Sequence, residues 1–224
     1  MNLITIDGPS GSGKGTVCYI LAKKLGWHLL DSGALYRILA YAALQNATSL
    51  DDEEALAKLA LNLKIEFISN GVAVDSFLNG ENIGDKLRTE TIAQAASKVA
   101  SLILVREALL ARQKAFYKNP GLIADGRDMG TVVFPEAPVK IFLDASAAER
   151  AKRRFEQLQN KGFNVSIAEI LSEIKDRDLR DRTRLIAPLK AAKDALEIDS
   201  TMLTIDEVVL KVLDQVKLKL NIVV

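Results

Sequence analysis

The chain has 224 residues, 49% hydrophobic and 26% charged, and its 30 basic and 29 acidic residues leave a formal net charge of +1. This composition excludes a globally disordered chain, and the balanced charge disfavours a protein that binds long nucleic acids through its overall field. The apolar runs are far shorter than the about 20 residues that span a bilayer, and the N-terminus lacks a secretory pattern. A single cysteine forms no disulfide framework. We therefore expect a globular cytoplasmic protein without nucleic-acid or membrane partners.

Short apolar runs predict five strands separated by helices. The predicted strands are Leu3–Asp7, His28–Asp31, Leu122–Asp125, Val139–Asp144 and Ala195–Asp199. The first two helices are predicted over Lys14–Leu25 and Ala34–Leu44, and Ser146, Ser166 and Thr204 each precede a glutamate by three residues, the capping-box spacing of a helix start. Strands that alternate with helices in this way predict a parallel sheet covered on both faces.

The pattern changes around residues 64–83, where apolar residues recur at every second position. Two turn signals, Asn70-Gly71 and Asn79-Gly80, fall within this segment. We therefore predict small antiparallel hairpins followed by a helix over Thr89–Ala100, and we assign residues 60–98 to an inserted subdomain.

A glycine-rich segment connects the first predicted strand to the first predicted helix. It reads Gly8-Pro9-Ser10-Gly11-Ser12-Gly13-Lys14-Gly15-Thr16. Its glycines allow backbone amides to surround phosphate oxygens, the helix N-terminus adds positive potential and Lys14 adds a cation, so the whole segment is a candidate ATP site. Gly15 stands where the common motif has a magnesium-binding Ser or Thr, which leaves Thr16 or water for that role. The motif predicts nucleoside triphosphate binding but does not distinguish a switch, a motor and a kinase.

Further segments follow the other predicted strands and a later helix. They are Leu30-Asp31-Ser32-Gly33-Ala34-Leu35-Tyr36-Arg37, Ile123-Ala124-Asp125-Gly126-Arg127-Asp128-Met129-Gly130, Lys140-Ile141-Phe142-Leu143-Asp144-Ala145 and Arg177-Asp178-Leu179-Arg180-Asp181-Arg182. With the Gly-Lys-Gly-Thr ending of the loop, they resemble the bacterial cytidylate kinases, a family of P-loop nucleoside monophosphate kinases. The resemblance covers about residues 1–219.

The resemblance implies an α/β P-loop three-layer fold with a five-stranded parallel sheet, similar to adenylate kinase, an inserted monophosphate-binding subdomain and a small helical lid. The predicted division has a core domain over residues 1–59, 99–148 and 185–224, the insert over 60–98, and a lid region with the following arginine-rich helix over 149–184. The implied reaction is ATP-dependent phosphorylation of CMP and dCMP to CDP and dCDP, with Mg²⁺, by a monomer. Two alternatives remain open: another small-molecule kinase with UMP or AMP as acceptor, and a non-catalytic nucleotide-sensing module.

The resemblance also implies roles for individual side chains. Residues implied to bind CMP are Ser32, Arg37, Ser97, Arg106, Arg127, Asp128, Arg177, Asp181 and Arg184. Residues implied in catalysis are Lys14, Arg127, Asp128, Arg180 and Arg184. Arg153 and Arg154 are implied to reach ATP from the lid, and Thr16 and Asp125 are candidate ligands of the metal ion.

Each of these patterns also has a purely structural interpretation. Asp31 or Ser32 fits a helix N-cap, and Arg127 fits a surface ion pair with a neighbouring aspartate. Arg177, Arg180, Asp181 and Arg184 share one helix face, which is also typical of a solvent-exposed charge ladder.

Overall fold

The computed structural model describes residues 1–69, 74–160 and 162–222. These residues form two compact units: the first comprises Met1–Leu30 and the described residues from Phe116 onward, and the second comprises Asp31–Ala115. The predicted insert lies within the second unit, while the predicted division into core, insert and lid stays a prediction. The predicted Asn70-Gly71 turn lies outside the described residues.

The described residues contain eight strands and eight α-helices. The strands are β1 (Leu3–Asp7), β2 (His28–Asp31), β3 (Ile65–Ser69), β4 (Val74–Leu78), β5 (Glu81–Asn82), β6 (Leu122–Gly126), β7 (Val139–Asp144) and β8 (Leu196–Asp199). The helices are α1 (Lys14–Leu25), α2 (Ser32–Gln45), α3 (Glu53–Asn62), α4 (Glu90–Val99), α5 (Ile103–Lys114), α6 (Ala147–Gln159), α7 (Ile167–Thr183) and α8 (Ile205–Leu220). A 3₁₀ turn over Lys86–Arg88 and a short π-helix over Met129–Val133 complete the described elements.

The first unit is built on a five-stranded sheet with the order β2-β6-β1-β7-β8. β1 pairs in parallel with β6 and β7, and β7 pairs in parallel with β8, which confirms the predicted parallel α/β fold. Every residue of β1 is buried, as expected for the central strand of a covered sheet. In this register Asp7 lies opposite Gly126 and Asp144 opposite Asp199, so the carboxyl ends of the strands form one edge. Ligands of open α/β sheets bind outside this edge.

The apolar core of the first unit lies between the sheet and two helices. Ile4 and Ile6 of β1 pack with Val17 and Leu21 of α1 and with Val212 of α8, and all five side chains are buried. The predicted N-caps of three helices are confirmed: the side chains of Ser146, Ser166 and Thr204 each accept a backbone N–H three residues ahead. The reciprocal bond of a full capping box forms at Thr204, whereas Glu149 accepts a hydrogen bond from Arg153 instead.

The second unit combines helices α2–α5 with an antiparallel sheet of order β3-β4-β5. Asn79 and Gly80 join β4 to β5 with φ of 53° and 83°, the left-handed pair that a tight hairpin turn requires, so the predicted Asn79-Gly80 turn is confirmed. The predicted helix after the hairpins is α4. None of the described helices is both long and apolar enough to cross a membrane.

Candidate active site

The glycine-rich loop runs from the end of β1 to the start of α1. Gly8 has φ of 153°, and a Cβ atom there would lie 2.0 Å from the Leu143 carbonyl oxygen of β7. Gly13, the N-cap of α1, has φ of 94°. The loop can therefore take this path only with glycine at its first residue, because a side chain would overlap the neighbouring strand.

Lys14 is the first residue of α1 and its side chain folds back under the loop. It is 5% exposed, and its Nζ donates a hydrogen bond to the Pro9 carbonyl oxygen at 2.7 Å. Burial lowers the pKa of Lys14 to about 8, with a further contribution from the nearby Arg127, while Asp125 and Asp7 oppose the change. A bound phosphate would supply the negative charge that restores the fully charged ammonium.

Asp7, the last residue of β1, was missed as a site residue in the sequence analysis. It is 4% exposed, and its two carboxylate oxygens accept hydrogen bonds from the backbone amides of Met129 and Gly130, each at 2.8 Å. Burial raises the pKa of Asp7 to about 7, although the two amide donors and Lys14 lower it. Its position at a strand end directly before the loop was the available signal.

A cluster of oppositely charged side chains includes Arg127 and Asp128, the two residues before Met129. Arg127 Nε donates a hydrogen bond to Asp181 Oδ2 at 2.9 Å, and Arg184 Nη2 lies 3.7 Å from Asp128 Oδ1. Burial would raise the pKa of Asp181, but Arg127, Arg177 and Arg184 together lower it below its usual value. The structure therefore brings five predicted residues together: the arginines at 127, 177 and 184 with two buried aspartates.

The cluster also reaches the phosphate loop. Arg177 Nη1 lies 3.4 Å from Ser10 Oγ, and Arg127 is close enough to Lys14 to lower its pKa. Arg180, on the same helix, is exposed, so it is not brought into the cluster.

Arg150 on α6 anchors the loop in a way that the sequence analysis did not foresee. Its side chain is 3% exposed and donates to the Ser10 carbonyl oxygen at 3.1 Å and to both carboxylate oxygens of Asp178 at 3.1 and 2.5 Å. Arg153, a predicted ATP ligand, donates instead to Glu149 at 3.0 Å and to the Ser200 carbonyl oxygen at 2.7 Å. Arg154 is half-buried on the same helix.

The remaining predicted CMP-binding residues belong to the second unit. Asp31 is the N-cap of α2, and the neighbouring Ser32 Oγ donates to the buried Gln113 Oε1 at 2.7 Å. Arg106 is 8% exposed, donates to the Ala100 carbonyl oxygen at 3.1 Å, and lies 5.8 Å from the centre of the Tyr36 ring.

Two further side chains of α2 and α4 complete this set. Ser97 Oγ is out of contact with solvent and has no hydrogen-bond partner among the described residues. A buried hydroxyl without a partner is costly, which makes it a candidate ligand contact. Arg37 is half-buried on α2.

A family model described as cytidylate kinase matches residues 4–218 of the chain. The chain belongs to the cytidylate kinase family. It is 62% identical over 211 residues to the cytidylate kinase of Aeromonas salmonicida (strain A449), covering 94% of this chain and 92% of that protein. It is 60% identical over 215 residues to the cytidylate kinase of Proteus mirabilis (strain HI4320), covering 96% of each. The match confirms the family that the motifs indicated, and the chain is a phosphotransferase.

Two oxygen-bearing side chains, Thr16 and Asp125, are the predicted ligands of a metal ion. Thr16 is exposed in the first turn of α1, and Asp125 Oδ2 lies 3.7 Å from the position of a Cβ atom on Gly15. Carboxylate and hydroxyl oxygens suit Mg²⁺, which usually takes one or two protein ligands and completes its shell with water and phosphate. No group of three or more His, Cys, Asp or Glu side chains in the described parts of the chain could hold a metal ion by itself.

Proposed function

We propose that this kinase transfers the γ-phosphoryl group of ATP to CMP and dCMP, giving ADP with CDP or dCDP. Family membership supports the reaction. The observation that carries the assignment of residues is the contact between the phosphate loop and the guanidinium cluster around Asp128 and Asp181, where Arg177 Nη1 lies 3.4 Å from Ser10 Oγ. The phosphate loop suits a triphosphate, and the guanidinium cluster suits a monophosphate ester.

On the donor side, we assign Gly8–Thr16 to the phosphates of ATP. Backbone amides of a helix N-terminus bind phosphate oxygens, and Lys14 would neutralise charge on the β- and γ-phosphates. Thr16 and Asp125 would hold Mg²⁺, which when bound would neutralise charge that develops on the phosphates during transfer.

On the acceptor side, we assign Arg127, Arg177 and Arg184 to the phosphate and sugar of CMP, together with Asp181 and with Arg37 of the second unit. Guanidinium groups bind phosphate oxygens in a bidentate manner and so orient the attacking oxygen. The attacking phosphate oxygen is already largely ionised at neutral pH, so the reaction requires no strong general base. Arg153, Arg154 and Arg180 are assigned to the transferred group when the lid closes.

Recognition of cytosine is assigned to Ser97, Arg106 and Asp128, with Ser32 near the acceptor. The unpartnered Ser97 hydroxyl supports this, because a base that offers a matching group would satisfy it and a mismatched base would leave it unsatisfied. These assignments predict preference for cytosine over other bases through hydrogen bonds.

The decisive experiment incubates the enzyme and ATP with Mg²⁺ and, separately, CMP, dCMP, UMP and AMP, and identifies the products by chromatography. We expect CDP and dCDP with equimolar ADP. UDP or ADP from AMP as the main product would favour another acceptor, and the absence of any diphosphate product would favour a nucleotide sensor. A Lys14→Ala variant should bind CMP but lose turnover by several orders of magnitude.

We also propose that the enzyme is a monomer of the cytoplasm, without nucleic-acid or membrane partners. The balanced charge and the single, buried cysteine support this location. Light scattering after size exclusion would test the oligomeric state.

A further inference from the structure

The turn that follows β6 carries Arg127 and Asp128 and is hydrogen-bonded to the last residue of β1. Val132 and Val133 donate their amides to the Asp128 carbonyl oxygen at 2.9 and 3.2 Å, which closes the short π-helix directly after these residues. The first amides of that helix, at Met129 and Gly130, point to Asp7. Each carboxylate oxygen of Asp7 accepts one of them, so the turn is fixed at two adjacent points.

The packing under the turn leaves little room for another arrangement. A Cβ atom on Gly130 would lie 2.8 Å from Thr5 Oγ1 and 3.4 Å from Asp7 Oδ2, and one on Gly126 would lie 2.7 Å from Met129 Cγ. The backbone of the turn therefore rests directly on the side chains of β1. Loss of the Asp7 carboxylate would remove the two hydrogen bonds that hold the backbone of the turn in this position.

We propose that Asp7 is a positioning residue that aims Arg127 and Asp128 at the acceptor nucleotide by binding the amides of Met129 and Gly130. This inference rests on the proposed roles of Arg127 and Asp128 in binding CMP. We assign Asp7 to the turn and not to contact with substrate, because both of its oxygens are directed at these amides and the residue is 4% exposed. Asp7 and these amides are more than 120 residues apart in the chain. Their hydrogen bonds therefore link the strand that precedes the phosphate loop to the turn that carries Arg127 and Asp128.

The ATP site should be insensitive to the same change. The start of the loop is set by the contact between Gly8 and the Leu143 carbonyl oxygen, and Lys14 is held by the Pro9 carbonyl oxygen. Neither contact involves the Asp7 carboxylate, which acts on Lys14 only as a minor electrostatic contribution to its pKa. A positioning role thus predicts an effect on KM for CMP with little change in KM for ATP, whereas a purely structural role would lower the amount of folded enzyme and leave both constants unchanged.

The test compares Asp7→Asn and Asp7→Ala with the wild-type enzyme in steady-state assays. Asparagine keeps one acceptor and turns an amino group towards the other N–H, so we expect KM for CMP to rise about tenfold, and further in Asp7→Ala, with KM for ATP within about twofold. The amides of Met129 and Gly130 should exchange hydrogen faster in both variants. The matched control is Asp199→Asn, because Asp199 also ends a strand and accepts an amide, that of Thr201 at 2.8 Å, in a turn outside the proposed acceptor site.

An Arg127→Met variant distinguishes failure of the proposed role of Arg127 from failure of the positioning role of Asp7. If Arg127→Met leaves KM for CMP unchanged, the proposed role of Arg127 fails. If Arg127→Met raises KM for CMP and the Asp7 variants do not, the positioning role fails. Equal increases in KM for ATP and CMP, or a change confined to the Mg²⁺ dependence of the rate, would also overturn it.

Discussion

The buried ammonium of Lys14 makes ATP binding depend on pH in a calculable way. Its pKa of about 8 in the free enzyme means that about nine-tenths of the lysines are charged at pH 7 and about one-tenth at pH 9. In the complex, a phosphate charge at about 4 Å contributes roughly 4 kcal/mol at an effective dielectric constant of 20, which is about 3 pK units and keeps the lysine charged. Binding at alkaline pH must therefore include protonation of Lys14.

We expect the affinity for ATP to weaken about tenfold between pH 7 and pH 9 and binding at pH 8 to take up about half a proton. Calorimetric titration with ATP in the absence of Mg²⁺, in two buffers of different ionisation enthalpy, measures both quantities. ATP itself is already fully ionised at pH 8, so it contributes little to the uptake. Lys14→Arg is the control, because a guanidinium stays charged throughout and its affinity should not vary with pH.

A wild-type affinity that is constant from pH 7 to pH 9, without proton uptake, would refute the conclusion that burial lowers the pKa of Lys14.

The lowered pKa of Lys14 also affects the stability of the folded enzyme. Because the folded lysine binds fewer protons than the unfolded one between about pH 8 and its ordinary pKa of 10.5, the free energy of unfolding of the free enzyme should rise with pH in that window.

Three further predictions concern residues around the site. Asp181→Asn should lower the free energy of unfolding in urea by about 3 kcal/mol, because it removes a buried negative charge that faces Arg127, Arg177 and Arg184, whereas Asp51→Asn, which breaks the exposed pair with Lys98, should cost less than about 1 kcal/mol; equal losses would contradict this. Ser97→Ala should raise KM for CMP about tenfold without lowering thermal stability, because it removes a hydroxyl that is unsatisfied in the free enzyme; a destabilised variant with normal KM would be the opposite result. Arg150→Met should raise KM for ATP about tenfold by releasing the Ser10 carbonyl, while Arg182→Met, which breaks a more exposed ion pair with Asp144, should leave it unchanged; similar values in both variants would argue against this anchor.

The sequence was sufficient where a local pattern determines the structure. The run Leu3–Asp7, the glycines after it and the helical spacing from Lys14 onward are contiguous, so the strand, loop and helix could be predicted together. The Asn79-Gly80 turn was predictable for the same reason, because only a few residue types tolerate two successive positive φ angles.

Contacts between distant segments could not be predicted in this way. Asp7 and the amide of Met129 are 122 residues apart, and nothing in the chain near Asp7 marks its partner. The predicted helix start at Ser146 puts Arg150 and Arg153 on one helix, but it does not indicate that Arg150 donates to the Ser10 carbonyl oxygen and Arg153 to that of Ser200. Helical periodicity gives the direction of a side chain on its own helix, whereas its partner depends on how the helices and strands pack.

The close approach of Gly8 to the Leu143 carbonyl oxygen means that the sheet fixes the start of the phosphate loop in the folded enzyme. The conformational entropy of ordering this part of the loop is then lost once, when the chain folds, and not again each time a nucleotide arrives. Each turnover consequently starts with the first turn of the donor loop already in place.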